Sequence, residues 1–311
     1  MTEQPTFAVC AMVREDPEVL VQFADYYRAI GASEILLYYD GTPPDDPRLS
    51  RPGLMLVACD AAFWAKRPEG TRPRSVDVAQ GACFDAARRA SVADWLFVTD
   101  ADEFLIPPVP VGDLLARVPE GIDAVRVQTA EAVWGPGDDP DLNFGCTYFR
   151  RPIRPRLARI LEPLLYGRAS VFYRKGLIGH AAGKHFVRRT GDVTRIGNHN
   201  SYRGATPVGV WAWRIDPIGR EFHVAHFDSV GFDRWCEKWR RRYSAETDTE
   251  KMHAVRHAQK ARVEAAARGG EAELHRLFRQ LNVLAPWQVA ILRSGGFVFR
   301  RQIFDDHERP A

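Results

Sequence analysis

Three carboxylates, Asp100, Asp102 and Glu103, follow the apolar run Trp95–Thr99 in the string WLFVTDADEFL. Burying an unpaired carboxylate is costly, so the acids belong at the exit of the strand that this run predicts. Residues at i and i+2 on extended backbone point the same way, and strand carboxyl ends line the ligand crevice of an open α/β sheet. Asp100 and Asp102 can therefore address one ligand. Paired hard oxygen donors suit a Mg²⁺ or Mn²⁺ ion that also holds substrate phosphates. Two other readings remain open. The acids can cap a following helix, or they can form the strand-ending Asp-x-Asp of aspartate-nucleophile phosphatases. That second motif wants Thr or Val where Phe104 stands.

Histidines and basic residues supply further candidates. His223 and His226 form H-x-x-H, a spacing that places them on opposite faces of a strand and suits one structural and one functional residue. His253 and His257 are four apart on a predicted helix, yet Lys251, Arg256 and Lys260 around them mark a solvated face. Arg150, Arg151, Arg154, Arg156 and Arg159 crowd one Pro-interrupted stretch, which reads as an anion-receiving loop or as solvated surface. In RWCEKWRRR, Trp235 and Trp239 share a helix face, which predicts docking on a core rather than nucleic-acid binding. GHAAGKH is one residue short of a phosphate-binding loop and ends in His185, where Ser or Thr would be needed. No G-x-S-x-G, H-E-x-x-H or G-x-G-x-x-G occurs.

The elements that must position these groups alternate. Apolar Phe7–Val13 predicts a strand. Asp16-Pro17 opens a helix that Gly31 closes. Glu34–Tyr39, Leu54–Ala58 and Trp95–Thr99 predict further strands, and Ser75–Ala90 a small-residue helix. This order predicts a largely parallel sheet covered by helices on both faces. Beyond residue 105 the chain turns Pro- and Gly-rich, with PPVP, WGPGDDPD and RRPIRPR around a predicted strand at Ala124–Gln128; from Gly231 it reads as helical.

Composition sets few limits on the chemistry. With 43 Lys+Arg against 40 Asp+Glu and 45% apolar residues, the chain is globular rather than disordered, and a net +3 is too small for bulk attraction to nucleic acid. Five scattered cysteines without a C-x-x-C fit neither a disulfide framework nor a thiolate zinc site. No run approaches the about 18 apolar residues of a membrane span. A cytoplasmic location follows as the expectation, with peripheral membrane contact left open.

The successive strings VREDPEVLVQFADYYRAIGASEILLYYDGTPPDD, Gln80, WLFVTDADEFL, GKHFVRRTGDVTRIGNHNSY and HVAHFDSVGFDRWCEKWRRR resemble glycosyltransferase family 2 and the family 92-like group of GT-A nucleotide-sugar transferases, from about residue 5 to residue 242. Arg14-Glu15-Asp16 stands at a Lys-Asn-Glu-type element, keeping the acid. Asp40 and Asp45 stand at the acidic end of the second strand, and D-x-D-E-F-L is matched in full. Lys184, Arg188 and His199 match a later basic-to-His element, and His226-Phe227 with Lys238 a His-aromatic-Lys element. WGPGDDPDLNFG is longer than the corresponding connection.

The resemblance implies an α/β GT-A (Rossmann-like) fold with a mixed, mostly parallel sheet. The transferase domain would span 1–230, with a nucleotide half of about 1–105 and an acceptor half of about 106–230, and 231–311 would be a helical C-terminal appendage. It further implies transfer of a sugar from a nucleotide-sugar, a UDP-sugar, to an acceptor hydroxyl with inversion, assisted by Mn²⁺ or Mg²⁺. The acceptor would be a glycan, lipid-linked or protein hydroxyl, with no nucleic acid as partner. Glu15, Asp40, Gln80, Asp100, Lys184, Arg188 (with Arg189 beside it) and His199 would bind the nucleotide and its diphosphate, and Asp102 and His226 the metal. Glu131 and Glu162 are base candidates by chemistry alone, with Asp138, Asp139 and Asp141 also open. The rival readings are a phosphoryl hydrolase using the same carboxylates and a non-catalytic nucleotide- or glycan-binding protein.

Overall fold

The computed structural model describes residues 4–68, 70–228, 231–242 and 254–304. Along the chain run β1 (Phe7–Val13), α1 (Pro17–Ala29), β2 (Glu34–Tyr39), β3 (Leu54–Ala58), α2 (Ala61–Ala65), α3 (Val76–Ala90), β4 (Trp95–Val98) and β5 (Glu103–Ile106). They are followed by α4 (Val111–Leu115), β6 (Ala124–Val133), β7 (Tyr148–Arg150), α5 (Pro155–Tyr166), β8 (Lys184–Arg188), β9 (Arg195–Ile196), β10 (Ser201–Arg203), β11 (Thr206–Pro207) and β12 (Gly209–Trp211). Then come α6 (Ala212–Ile215), β13 (His223–His226), α7 (Phe232–Arg242), α8 (Ala254–Arg268), α9 (Glu271–Asn282), α10 (Pro286–Ser294) and β14 (Val298–Arg300).

The six early elements expected from periodicity are all present. Proline opens α1, and Gly31, at φ 94°, takes the left-handed turn after it. The stretch expected to be irregular contains more order than its prolines suggest. RRPIRPR runs into α5, because Pro155 occupies the first helical turn, where a missing N–H costs nothing.

The chain forms two compact units, each discontinuous in sequence: 1–128 with 182–224, and 129–181 with 225–311. The expected divisions fell instead near 105 and 230. The C-terminal helices share a unit with residues 129–181 instead of standing apart as an appendage.

In the first unit the sheet runs β6–β8–β4–β1–β2–β3. The strands β4, β1, β2 and β3 are parallel, β8 lies antiparallel between β4 and β6, and β12 adds in parallel to β6. A mixed, mostly parallel α/β sheet is thus what the alternation produced. Odd residues of β1 face α1, where Phe23 and Tyr27 pack with Phe97 and Phe104. Even residues face α3, where Ala8, Cys10, Leu36 and Leu96 meet Cys83, Phe84 and Ala87. All five cysteines are free.

In the second unit the far half of β6 pairs with β7, and β7 with β14, all antiparallel. Against them, Trp235 and Trp239 of α7 are buried from one helix face and meet Phe278 and Phe172, as the four-residue spacing predicts. Among the described residues no helix is long and apolar enough to cross a membrane.

A close approach of α3 to the 196–200 loop generates a prediction. Glycine is about 1 kcal/mol worse than alanine in a helix interior, yet a methyl at Gly81 would stand 2.8 Å from the Ile196 carbonyl oxygen. Gly81→Ala should therefore destabilise by about 1–3 kcal/mol, read as a lowered urea midpoint. A raised midpoint would show that propensity outweighs packing there.

Candidate functional site

The acidic string lies where the sheet's carboxyl edge requires it. β4 ends at Val98, and a turn carries Asp100, Ala101 and Asp102 before Glu103 opens β5. Asp100 is fixed on both oxygens: Gln80 Nε2 of α3 donates to Oδ1 at 2.6 Å, and Lys184 Nζ donates to Oδ2 at 2.6 Å. The Lys184 ammonium is fully buried and also meets Glu103 Oε2 at 3.2 Å and the Asn198 side-chain oxygen. Glu103, itself fully buried, accepts from Thr99 Oγ1 and from the Asp100 backbone N–H, each at 3.1 Å. Burial pushes the Lys184 pKa down, but Asp100 and Glu103 outweigh it and hold it above its ordinary value.

Register explains how a lysine so distant in sequence arrives here. β8 runs antiparallel to β4 with His185 opposite Val98, so Lys184 falls beside the strand exit. The same register carries Arg188 to the other end, opposite Trp95. There its guanidinium covers the Trp95 ring at 4.3 Å and faces the Ile122 and Pro119 carbonyls. Arg189 donates to the Ala93 carbonyl. Four residues along an extended strand span about 13 Å. Neither arginine therefore joins the Asp100 cluster, contrary to the expectation that one of them neutralises a diphosphate beside Lys184. Lys184 itself is committed to carboxylates inside the protein rather than presented outward.

His199 does join this cluster. Its Nδ1 faces the Gly183 carbonyl at 3.0 Å, and burial followed by the Lys184 charge lowers its pKa. Asp40, at the end of β2, is held by Arg72 through two bonds, Nε to Oδ1 at 2.7 Å and Nη2 to Oδ2 at 2.6 Å. No local pattern announces Arg72, which lies 32 residues away. Glu15 is half-buried in the loop after β1 and Asp45 is exposed beyond β2.

Asp102 is half-buried on the turn. Among the described residues no three His, Cys, Asp or Glu side chains converge into a metal cage. That donor set still fits Mg²⁺ or Mn²⁺, which characteristically takes one or two carboxylates and completes its shell with water and substrate phosphate. Asp100 and Glu103 set two carboxyl groups against the one ammonium of Lys184, a formal excess of negative charge. Asp100, with Gln80 and Lys184 on its oxygens, acts as a strut.

In the second unit Glu131 of β6 is buried and bound on both oxygens. Arg150 Nη2 donates to Oε2 at 2.5 Å, the Gly179 N–H to Oε1 at 2.6 Å, and the Ile178 N–H at 3.0 Å. Arg150, equally buried, also lies over the Tyr173 ring at 5.0 Å. Glu162 of α5 accepts from the Gly176 N–H at 2.6 Å. Asp138 accepts from Gly135 and Thr147, Asp139 from the Asp141 N–H, and Asp141 faces Arg279 at 3.5 Å. Four of the five base candidates thus hold backbone in place.

His226 of β13 is buried, with Nε2 4.0 Å from Asp228 Oδ1, and its ring stacks at 5.8 Å on His180. Asp228 in turn pairs with Lys238 at 2.9 Å, so the His-aromatic-Lys element converges on an aspartate that sequence reading passed over. His223 Nδ1 faces its neighbour Glu221's carbonyl at 2.9 Å. His253 lies outside the described residues, and His257 is exposed.

No protein-family model matches the chain, and no curated protein matches it. Among solved structures it is similar to glucosyl-3-phosphoglycerate synthase from Mycobacterium tuberculosis in complex with Mn²⁺, uridine diphosphate and glucosyl-3-phosphoglycerate (16% identity, 60% of this chain and 57% of that one, TM-score 0.30). The same enzyme with Mg²⁺ and uridine diphosphate matches at 15% identity over the same shares, TM-score 0.30. A mycobacterial protein matches at 18% over 72% of this chain and 65% of that one, TM-score 0.33. The chain spans less than two thirds of the length of each. Likeness of this extent is no measure of activity, and the functional reading rests on the geometry above.

Two predictions follow from the cluster. Replacing Lys184 by methionine leaves the buried Glu103 carboxylate and the half-buried Asp100 without their counter-ion, which should cost about 3–5 kcal/mol of stability. An unchanged urea midpoint in Lys184→Met would show that the ammonium is not the keystone. The second concerns acid. His185 is fully buried against Ser201 Oγ at 2.9 Å, and burial, with Lys184 and Arg126 adding to it, depresses its pKa from 6.5 to about 3. The unfolded chain then takes the proton first, so stability should fall as pH drops from about 6.5 towards about 3. His185→Asn should flatten that slope; identical slopes in urea titrations across the window would contradict it.

Proposed function

We propose that the protein is a metal-dependent glycosyltransferase that moves a sugar from a nucleotide-sugar, a UDP-sugar, to an acceptor hydroxyl with inversion. The observation that carries this reading is the Asp-Ala-Asp turn at the carboxyl end of β4, with Asp100 pinned by Gln80 and Lys184 and a second carboxylate, Asp102, two residues further on. In the transfer the acceptor oxygen forms a bond to the anomeric carbon while that carbon's bond to the diphosphate oxygen breaks. The acceptor proton passes to a carboxylate base, and the nucleoside diphosphate leaves. A bound Mn²⁺ or Mg²⁺ supplies Lewis-acid stabilisation of that leaving group.

The chain's own residues take the following parts. Asp40, oriented by Arg72, and Glu15 meet the base and ribose at the neighbouring strand ends. Asp102 is the metal ligand. Lys184 acts as a positioning residue that fixes Asp100 from below. Glu131 and Glu162, whose oxygens hold backbone N–H groups, are read as positioning carboxylates before they are read as bases. The acceptor is a glycan, lipid-linked or protein hydroxyl.

Thermal shift with uridine diphosphate and Mn²⁺ tests the reading, since a ligand that binds only the folded state raises the melting temperature. The wild type should shift only when both are present. Asp102→Asn should lose the metal-dependent part and all turnover with the fold intact, and Asp40→Ala should weaken the response to the nucleotide. A full metal-dependent shift in Asp102→Asn would overturn the assignment, and phosphate release from a simple monoester would favour a hydrolase.

A further inference from the structure

Helix α5 presents an unusual outer face. Leu157, Ile160 and Leu164 are 37%, 67% and 60% exposed. At 100° per residue they fall within about 60° of one another on the helix circumference. Ala158 and Leu165, about 80–100° round the helix from Leu157, are buried and seat the helix on its own unit. Beside the apolar stripe stand Arg156 and Arg159, with Arg154 at the helix start and Arg168 just beyond its end, all exposed. None of Arg154, Arg156 and Arg159 is ion-paired among the described residues. The one acid between residues 154 and 168, Glu162, is spent on the Gly176 N–H.

Trp287 is a further exposed apolar side chain near the end of α5. It is 51% exposed at the start of α10, and the neighbouring Gln288 donates to the Leu165 carbonyl at 2.6 Å, which holds that helix start against the end of α5.

We propose that this face seats the protein on an anionic lipid bilayer, with Leu157, Ile160, Leu164 and Trp287 entering the boundary between headgroups and acyl chains and the arginines meeting lipid phosphates. An exposed apolar stripe flanked by cations on a 12-residue helix is the pattern of an interfacial helix lying in the membrane plane. Tryptophan favours that same depth. Charge argues for lipid over a second copy of the chain. A two-fold contact through α5 would bring one set of four unpaired arginines against another, whereas an anionic surface neutralises them. The inference stands independently of the catalytic reading.

Co-sedimentation of the full chain with vesicles of phosphatidylcholine alone, or of phosphatidylcholine mixed with phosphatidylserine, tests it. The wild type should pellet with the mixed vesicles and far less with the neutral ones, and binding should weaken as salt rises. Each arginine near the surface contributes roughly fivefold in affinity, so Arg156→Glu with Arg159→Glu should lower binding by more than tenfold. Ile160→Glu with Leu164→Glu should abolish it. All four side chains are exposed, so both variants should melt with the wild type. Failure of the wild type to bind the mixed vesicles, or equal binding by the variants, would overturn the proposal. So would a dimer in sedimentation velocity that Ile160→Glu dissociates while vesicles go unbound.

Discussion

The first unit is organised around one ammonium group. Lys184 is fully buried, and an ion of that size removed from water costs several kcal/mol unless matching charge meets it. Asp100 and Glu103 supply that charge from the adjacent strand and turn, and Asn198 supplies a neutral oxygen. Each of these is then constrained in return. Asp100 cannot rotate while Lys184 and Gln80 hold its two oxygens, and Glu103 closes the turn by accepting the Asp100 N–H. The result is a turn at the sheet edge on which the Asp100 carboxylate is held in one orientation. A flexible loop with the same acids would have to pay ordering entropy on each binding event.

The second unit uses a related device for another end. The Glu131–Arg150 pair is buried between β6 and β7, and Glu131 passes the constraint to the backbone at Ile178 and Gly179. Gly179 adjoins His226 so closely that a side-chain carbon there would stand 3.1 Å from Nδ1. Breaking such a pair strands a charge in the core, so Glu131 contributes more as a strut than as a group free to gain and lose a proton. The same unit carries the exposed stripe of α5. Its hydrophobic residues gain nothing from the fold as it stands, which is why they read as an interaction surface.

Much of the architecture was legible in the chain. The alternation of apolar strands with helices from Phe7 to Val98 predicted a parallel sheet covered on both faces. The run Trp95–Thr99 leading into acids placed Asp100 and Asp102 at its edge, and the spacing of Trp235 and Trp239 predicted their burial. These features follow from local rules: the period of 2 or 3.6 residues, the demand that buried strands be apolar, and the exclusion of unpaired carboxylates from the interior.

What each candidate side chain does was decided by tertiary structure. Lys184 and Arg188 are equally basic and four residues apart, yet β8 pairing delivers one to Asp100 and the other to the Trp95 ring at the far end. Nothing in their local sequence separates them. Arg72 on Asp40 and Arg150 on Glu131 are likewise partners drawn from other segments, and the base candidates Glu131, Glu162 and Asp138 turned out to be holding backbone. The sequence alone determined which residue types stand at a strand's end, because that depends on neighbours along the chain. Which charges cancel depends on strand register and burial, and those exist only once the sheet has formed.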